Sequence, residues 1–197
     1  MIRGHMNKTD SQAILDVPKD VIERAAKIKL LLMDVDGVLT DGTIFYVKGA
    51  EAEATEFKGF NSQDGLGMHF LNSAGIKTGV ISGRESPSVT KRAQILKMSY
   101  VYQGHLEKMS IYEEILGLAA VVDEEVAYVG DDFTDAPLMK RVGLACAVAD
   151  ARPELFSVVH FVTRARGGKG AIREIIEIIL KAQKKWDSIL SQYGLML

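Results

Sequence analysis

Two aspartates directly after a short apolar run constrain this chain more than any other feature. Residues 30–33 are all apolar, which is typical of a strand buried on both faces of a sheet. Asp34 and Asp36 follow at once, and Gly37 permits a tight turn away from the strand. Ligands of open α/β sheets bind at the carboxyl ends of the strands, so two acids here indicate metal binding or phosphoryl chemistry. A strand followed by a plain Asp/Gly turn is the alternative that this stretch alone leaves open.

Composition describes an ordinary globular chain and narrows the possible partners. With 197 residues, 47% hydrophobic and 25% charged, a single domain with a sizeable core is expected. The net charge of -2 argues against a nucleic-acid surface, and no stretch approaches the ~20 apolar residues of a membrane span. Residues 1–10 lack the apolar segment of a secretory signal, and Cys146, the single cysteine, is expected in the core. These features predict a cytoplasmic protein without nucleic-acid or membrane partners.

Apolar periodicity alternates between strands and helices along most of the chain. Such alternation implies βαβ units with right-handed crossovers, so the predicted fold class is α/β, with a Rossmann-like, doubly wound, mostly parallel sheet. We expect one domain over residues 1–197 with its core at about 29–180, and flexible tails at 1–16 and 187–197. Strands are predicted at 30–33, 76–81, 99–102, 125–129, 144–148 and 158–162, and helices at 17–28, at 64–74 with Asp64 as its cap, from Ser86-Pro87, around 111–118 and after Gly170.

A predicted β-hairpin follows the first strand and interrupts this alternation. Its strands are residues 43–47 and 51–57, joined by a turn at Lys48-Gly49. An isolated two-stranded ribbon is marginally stable in water, and its free edges favour pairing with other strands. The hairpin is therefore expected to need a partner surface.

Polar side chains follow several of the predicted strands at the point where each ends. Ser82 follows residues 76–81, Asp131 follows 125–129, and Lys108 lies where the next helix starts after 99–102. In a parallel sheet these strand ends lie at one edge, together with Asp34. This convergence is a stronger indication of a functional site than any single motif.

The carboxylates at this edge predict a Mg²⁺ site, because hard dications prefer oxygen ligands. Asp34, Asp131 and a backbone carbonyl at or near Asp36 are the predicted metal ligands. The four histidines and the cysteine show no zinc-like spacing. A phosphate monoester carries a charge of about -1.5 to -2, and like charges ~4 Å apart repel by ~4 kcal/mol at an effective dielectric constant near 20. An anionic substrate therefore needs Mg²⁺ and Lys108 to enter the site.

Each of these residues also suits a different role in phosphoryl transfer. Asp34 is the predicted nucleophile, which forms an aspartyl-phosphate. Asp36, two residues on, is the predicted acid that protonates the leaving alcohol and the base that later activates water. The Ser82 hydroxyl holds phosphoryl oxygens, and Lys108 offsets charge that develops in the transition state.

The motifs, in this order, resemble those of the haloacid dehalogenase-like phosphatase superfamily over about residues 29–179. The resemblance implies the same roles for Asp34, Asp36, Ser82 and Lys108, with Asp131 as a metal ligand. It makes Asp132 and Asp135 supporting acids around the metal and Lys108. Members often carry a cap domain after the first or third motif, but the intervals here leave no room for one.

A closer resemblance is to the 3-deoxy-D-manno-octulosonate 8-phosphate phosphatases of lipopolysaccharide sugar synthesis. It rests on the segments 34–42, 60–61, 64–65, 82–84, 102–104, 128–132, 147–151 and 167–174. Gln63 and His69 stand where the family usually has arginines. Arg84, in contrast, matches the family pattern. A related phosphatase that acts on a nine-carbon keto-acid phosphate typically has an acidic residue at that position. A related keto-acid or sugar phosphate is therefore the alternative substrate. The substrate contacts implied are Asp36, Asn61, Ser62, Gln63, Asp64, Gly65, His69, Gly83, Arg84, Arg92 and Lys108.

The resemblance also implies a homotetramer with sites shared between subunits. In this arrangement hairpins pair between subunits, and a glycine-rich segment at 167–173 reaches a neighbouring site, where Lys169 can contribute. The alternative is that the ribbon folds back on its own domain and the glycines only start a helix.

A signalling module and a catalytically idle domain are the two alternatives to a phosphatase. A receiver-type signalling module also clusters aspartates, but its phosphorylated aspartate follows the third strand, where this chain has Tyr102-Gln103-Gly104. A catalytically idle assembly domain is the other alternative, although every catalytic side chain is present. Turnover of any phosphate monoester separates that domain from an enzyme.

Overall fold

The computed structural model describes residues 17–48 and 54–196, so the predicted tail at 1–16 and residues 49–53 of the predicted hairpin lie outside the described residues. In chain order the strands are β1 (Leu30–Met33), β2 (Phe45–Lys48), β3 (Ala54–Phe57), β4 (Lys77–Ile81), β5 (Tyr100–Tyr102), β6 (Val126–Gly130), β7 (Leu144–Ala147) and β8 (Phe161–Val162). The helices are α1 (Lys19–Ala25), α2 (Ser62–Ser73), α3 (Pro87–Leu96), α4 (Met109–Ala119), α5 (Ala136–Met139), α6 (Ala171–Ala182) and α7 (Trp186–Gln192). Short 3₁₀ turns occupy Asp123–Glu125, Phe133–Asp135 and Pro153–Ser157.

Six strands form one sheet in the order β5-β4-β1-β6-β7-β8, and every pairing between them is parallel. The predicted α/β class is confirmed. Strand β1 lies in the interior of the sheet with all four residues buried, as its unbroken apolar run indicates. The chain first builds outward from β1 through β4 and β5, then returns to add β6, β7 and β8 on the other side. The order therefore reverses between β1 and β6, which places the ligand crevice of such sheets at the carboxyl ends of these two strands.

The helices bury their apolar faces in the interior of the domain. In α6, Ile172, Ile175, Ile176 and Ile179 are all buried, as their spacing predicts. Helix α6 packs against α1 and α2. None of the helices in the described part of the chain is long and apolar enough to cross a membrane.

The predicted start of α2 and the predicted tail from residue 187 are wrong, and the strand predicted at 158–162 covers only Phe161–Val162. Helix α2 begins at Ser62 because the Asn61 side chain caps it, accepting hydrogen bonds from the backbone N–H groups of Gln63 and Asp64. The region expected to be a tail from residue 187 instead continues helix α7 to Gln192, because Ile189 is buried against the domain.

The β2–β3 ribbon is a separate two-stranded antiparallel sheet, as predicted. Phe45 pairs with Phe57, and their rings stack with centroids 5.0 Å apart. Phe45, Tyr46, Val47 and Phe57 are nevertheless all exposed, Tyr46 to 61%. Much of the apolar surface of the ribbon is thus uncovered in a single subunit.

Candidate active site

Three carboxylates converge where the strand order reverses. Asp34 follows β1, Asp131 follows β6, and Asp135 ends the next 3₁₀ turn. Each offers an oxygen atom, and these three atoms lie within 4.8 Å of one another. Gly37 turns the chain beside them with a φ of 87°, and a Cβ atom there would collide with the carboxylate of Asp131. The sheet edge thus gathers the acids as the strand ends predict.

Burial and mutual repulsion disfavour the charged form of two of these acids. Burial, with the nearby charge of Asp135 adding to it, raises the pKa of Asp34 to about 6. Burial and the charge of Asp34 raise the pKa of Asp131 to about 8. Asp131 Oδ1 is buried and has no hydrogen-bond partner. An all-oxygen cluster with an orphaned buried atom and unfavourable negative charge fits a Mg²⁺ ion, which Asp34 and Asp131 would hold.

Lys108 supplies fixed positive charge to this cluster. Its buried Nζ lies 2.7 Å from Asp135 Oδ1 and 3.2 Å from Asp34 Oδ1. Burial by itself lowers the pKa of Lys108, but the charges of Asp34 and Asp135 outweigh it and the pKa is raised. The lysine is therefore held charged beside the predicted nucleophile.

Asp135 orients its neighbours, since both its oxygens are engaged. Oδ1 accepts hydrogen bonds from Lys108 Nζ and from the Tyr128 hydroxyl at 2.6 Å. Oδ2 accepts from the backbone N–H groups of Asp131 at 2.9 Å and Asp132 at 3.3 Å. The Asp132 side chain is exposed and caps the turn through the N–H of Phe133. Asp135 thus ties the loop after β6 to Lys108.

Ser82 completes the edge at the end of β4. It is 1% exposed, and its Oγ accepts a hydrogen bond from the backbone N–H of Arg84 at 3.3 Å. The side chain of Leu106 lies over Gly83, where a Cβ atom would meet it. These contacts fix the short loop that carries the serine hydroxyl.

The carboxylate of Asp36 lies in a second cluster of charges. Both its oxygens accept hydrogen bonds from Lys58 Nζ, at 2.5 and 2.7 Å, and Arg84 Nε lies 3.9 Å from Oδ2. Arg84 also donates to Tyr46 Oη and to Glu56 Oε2, both at 3.1 Å. The side chain of Asp36 is thus engaged outside the acid cluster, which leaves its backbone carbonyl as its predicted contribution to the metal.

Several predicted substrate contacts surround the start of α2. Arg92 donates to the backbone carbonyl of Asn61 at 3.0 Å, and its guanidinium covers Phe60 and Gly65. Ser62 and Gln63 are exposed on the first turn of this helix. This end of α2 is presented at the same sheet edge as the acids because it follows directly from the hairpin.

Asp64 does not cap its own helix, which was its predicted role. Its Oδ1 instead accepts a hydrogen bond from the backbone N–H of Arg173 at 2.8 Å, in the first turn of α6. Burial raises the pKa of Asp64 despite this bond. Asn61 already occupies the cap position of α2, so Asp64 is free to bond elsewhere.

His69 and Lys169 differ in their distance from the acids. His69 is exposed and lines a groove with Phe70 and Tyr193; it is eight residues beyond Asn61, about 12 Å along the helix. Lys169 forms an exposed ion pair with Asp41 at 3.1 Å. His69 is therefore remote from the acids, whereas Lys169 follows Gly168, whose backbone N–H donates to the carbonyl of Val38 in the loop after β1.

Sequence reasoning missed three residues of the site. Tyr128 lies within an apolar strand pattern and gives no polar signal, although its hydroxyl contacts both Lys108 and Asp135. Lys58 and Glu56 lie at the end of the hairpin, where charged residues usually face solvent. The sequence offers one indication that Lys58 is not an ordinary surface lysine, namely its position between Phe57 and the Gly59-Phe60 pair.

Comparison with known proteins agrees with this geometry. The model of a family described as haloacid dehalogenase-like hydrolase matches residues 94–176. The 3-deoxy-D-manno-octulosonate 8-phosphate phosphatase of Yersinia pestis is 46% identical over 87% of this chain and 89% of its own. The chain belongs to the 3-deoxy-D-manno-octulosonate 8-phosphate phosphatase family of haloacid dehalogenase-like hydrolases. The family resemblance of the motifs is confirmed.

Other members of this family are similar in sequence and in structure. The phosphatase of Escherichia coli is 42% identical over 89% of this chain and 92% of its own. The crystal structure of the Moraxella catarrhalis phosphatase contains a magnesium ion, a phosphate ion and KDO. It matches with a TM-score of 0.84 at 36% identity over 88% of this chain and 98% of that one. The similarity thus spans the sheet and the site together.

Proposed function

We propose that this chain is a Mg²⁺-dependent phosphatase that hydrolyses 3-deoxy-D-manno-octulosonate 8-phosphate to the free sugar acid and phosphate. The observation that carries the proposal is the buried contact of Lys108 with Asp34, beside the orphaned oxygen of Asp131. It places a nucleophile, a fixed cation and a metal-binding acid at one point. A reaction of this kind belongs to lipopolysaccharide sugar synthesis, and we propose a cytoplasmic location for the enzyme.

In the first half of the reaction, Asp34 attacks phosphorus. Its Oδ1 accepts hydrogen bonds from the Val35 N–H at 2.7 Å and interacts with Lys108, which leaves Oδ2 to form the new bond. The ester P–O bond breaks as Asp36 gives a proton to the leaving alcohol oxygen. When bound, Mg²⁺ offsets the repulsion between the phosphate and the acids and polarises the phosphoryl group.

In the second half, water hydrolyses the aspartyl-phosphate on Asp34. Asp36 takes a proton from the water while the water oxygen bonds to phosphorus, and the bond between phosphorus and Asp34 Oδ2 breaks. The Ser82 hydroxyl and Lys108 hold the phosphoryl oxygens in both steps. Inorganic phosphate leaves, and each residue returns to its starting state.

Arg84 is the residue proposed to recognise the sugar-acid group of the substrate. It is 47% exposed and lies 3.9 Å from Asp36, so it borders the position of the leaving group. Arginine binds carboxylates well through paired N–H groups, and a 2-keto acid carries such a carboxylate. Asn61, Asp64, Gly65 and Arg92 shape the same side of the site. Gln63 and His69, in place of the family's arginines, favour a related keto-acid or sugar phosphate as the alternative substrate.

Phosphate release from a panel of phosphate monoesters tests the proposal. We expect turnover of 3-deoxy-D-manno-octulosonate 8-phosphate with Mg²⁺ to exceed that of a nine-carbon keto-acid phosphate and of simple sugar phosphates. EDTA should abolish release from every substrate, and added Mg²⁺ should restore it. Activity that persists in EDTA would contradict the metal role. Faster turnover of another monoester would show that this ester, and not 3-deoxy-D-manno-octulosonate 8-phosphate, is the preferred substrate.

We propose further that the active form is a homotetramer in which the β2–β3 ribbons pair between subunits. The exposed apolar side chains of the ribbon support this arrangement, because an isolated ribbon is marginal in water. No inserted cap covers the site within the described residues, so a neighbouring subunit takes that place, with Lys169 as a contributor to the adjacent site.

Light scattering coupled to an activity assay measures the assembly. We expect one species of four chains of 21.6 kDa each that carries all the activity. Deleting residues 43–57 should give smaller species with impaired turnover. A fully active monomer would refute the tetramer without affecting the chemistry proposed for Asp34.

A further inference from the structure

A buried lysine holds the carboxylate of Asp36. Lys58 directly follows β3, and its side chain is 0% exposed. Its Nζ donates to both oxygens of Asp36, at 2.5 and 2.7 Å, and lies 3.6 Å from Glu56 Oε1. A lysine enclosed in this way differs from the solvated ion pairs of a protein surface.

Charge balance accounts for the burial of this lysine. An ammonium group taken out of water is costly unless an acid compensates it. Lys58 faces two acids, Asp36 and Glu56, and Arg84 adds the second positive charge through Glu56 Oε2 at 3.1 Å. The group of four side chains therefore contains two acids and two bases.

The two bases of this group differ in what they can reach. Arg84 is 47% exposed, so substrate can contact it directly. Lys58 is enclosed, so it acts on substrate only through Asp36, whose own side chain is 20% exposed. Because Lys58 contacts both oxygens of Asp36, it restricts the rotation of that carboxylate.

We propose that Lys58 is the positioning residue of the acid/base Asp36, and that Glu56 holds Lys58 in place from the hairpin. This inference rests on the proposed phosphatase function. The protein orients Asp36 through a hairpin residue, so the geometry of proton transfer depends on the β2–β3 ribbon as well as on the loop after β1. Asp34 receives its fixed charge separately, from Lys108.

The leaving group of the substrate provides the test, because Asp36 protonates it. An alkyl phosphate such as 3-deoxy-D-manno-octulosonate 8-phosphate needs this proton, whereas dinitrophenyl phosphate has a leaving group that departs without it. We expect Lys58→Met to lower kcat/KM by about 100-fold on the alkyl phosphate and by less than about 10-fold on the dinitrophenyl ester, because kcat/KM reports the step that releases the leaving group and general-acid catalysis contributes roughly 10²–10⁴-fold. Asp36→Asn should show the same selectivity, and Lys58→Arg should recover part of the loss.

The matched control is Lys27→Met, which removes an exposed lysine that precedes β1 and lies outside both the site and the ribbon. It should leave both activities close to those of the unmodified enzyme. Equal losses on both substrates for Lys58→Met would overturn the positioning role and assign the residue a structural one. A further loss when Lys58→Met is added to Asp36→Asn would overturn it as well, because a residue that acts through Asp36 has no effect in its absence.

A second measurement does not depend on turnover. The thermal midpoints of Lys58→Met, Asp36→Asn and the double variant form a double-mutant cycle, and we expect a non-additive shift. Additive shifts would overturn the contact and the inference with it. An enzyme inactive on every phosphate would instead contradict the proposed function, while the cycle would still report on the contact between Lys58 and Asp36.

Discussion

Replacing Asp34 with asparagine is expected to lower kcat by about 10³-fold or more without unfolding the protein. The amide cannot form the aspartyl-phosphate, and the attacking position at Oδ2 is lost. The fold should survive because burial already disfavours the charged form of this carboxyl, whose pKa is raised to about 6. Phosphate release at saturating substrate and Mg²⁺ measures the loss.

Circular dichroism and the thermal midpoint of the same variant serve as the controls for Asp34→Asn. Both should stay close to those of the unmodified protein. A folded Asp34→Asn protein with near-normal kcat would refute the covalent mechanism and direct attention to a water nucleophile held by the metal-binding acids.

Replacing Asp135 with asparagine is expected to destabilise the protein by about 3–5 kcal/mol, roughly 6–20 °C in Tm, and to reduce turnover strongly. Each oxygen of Asp135 accepts hydrogen bonds, from Lys108 and Tyr128 on one side and from two backbone N–H groups on the other. An amide places an NH₂ group against one of these sets of donors. Thermal unfolding and phosphate release measure the two effects.

The matched control is Asp132→Asn on the same loop. Asp132 is exposed and caps the turn through its side-chain oxygen, which asparagine does about equally well. We expect its Tm to change by no more than a few degrees. If Asp135→Asn were as mild as Asp132→Asn, the role of Asp135 in holding Lys108 would be wrong.

Asp34 and Asp131 were predictable because each stands at the end of a strand. The apolar run before Asp34 identified a buried strand, and the run before Asp131 identified a second one. In a parallel sheet these ends meet at one edge, so the contact between the two was implied before any coordinates. Ser82 and Lys108 followed from the same reasoning, and all four lie where it places them.

Other residues were misplaced because local pattern did not decide their partners. Asp64 satisfies the general preference for a helix cap, but it bonds to the N–H of Arg173, which is distant in sequence. The segment from residue 187 looked like a tail by its position near the end of the sequence. Ile189 becomes buried when the sheet and helices assemble, and α7 forms with it.

Residue types and strand order indicate the proposed chemistry, whereas the surroundings of the reacting side chains follow only from the packed fold. Strand periodicity and the order of the acids were enough to indicate phosphoryl transfer and a Mg²⁺ site, because both depend on residue type and on strand ends. The contacts of Lys58 with Asp36 and of Tyr128 with Asp135 join residues from different elements. Whether such side chains are solvated or enclosed depends on packing of the whole chain, which no local pattern encodes.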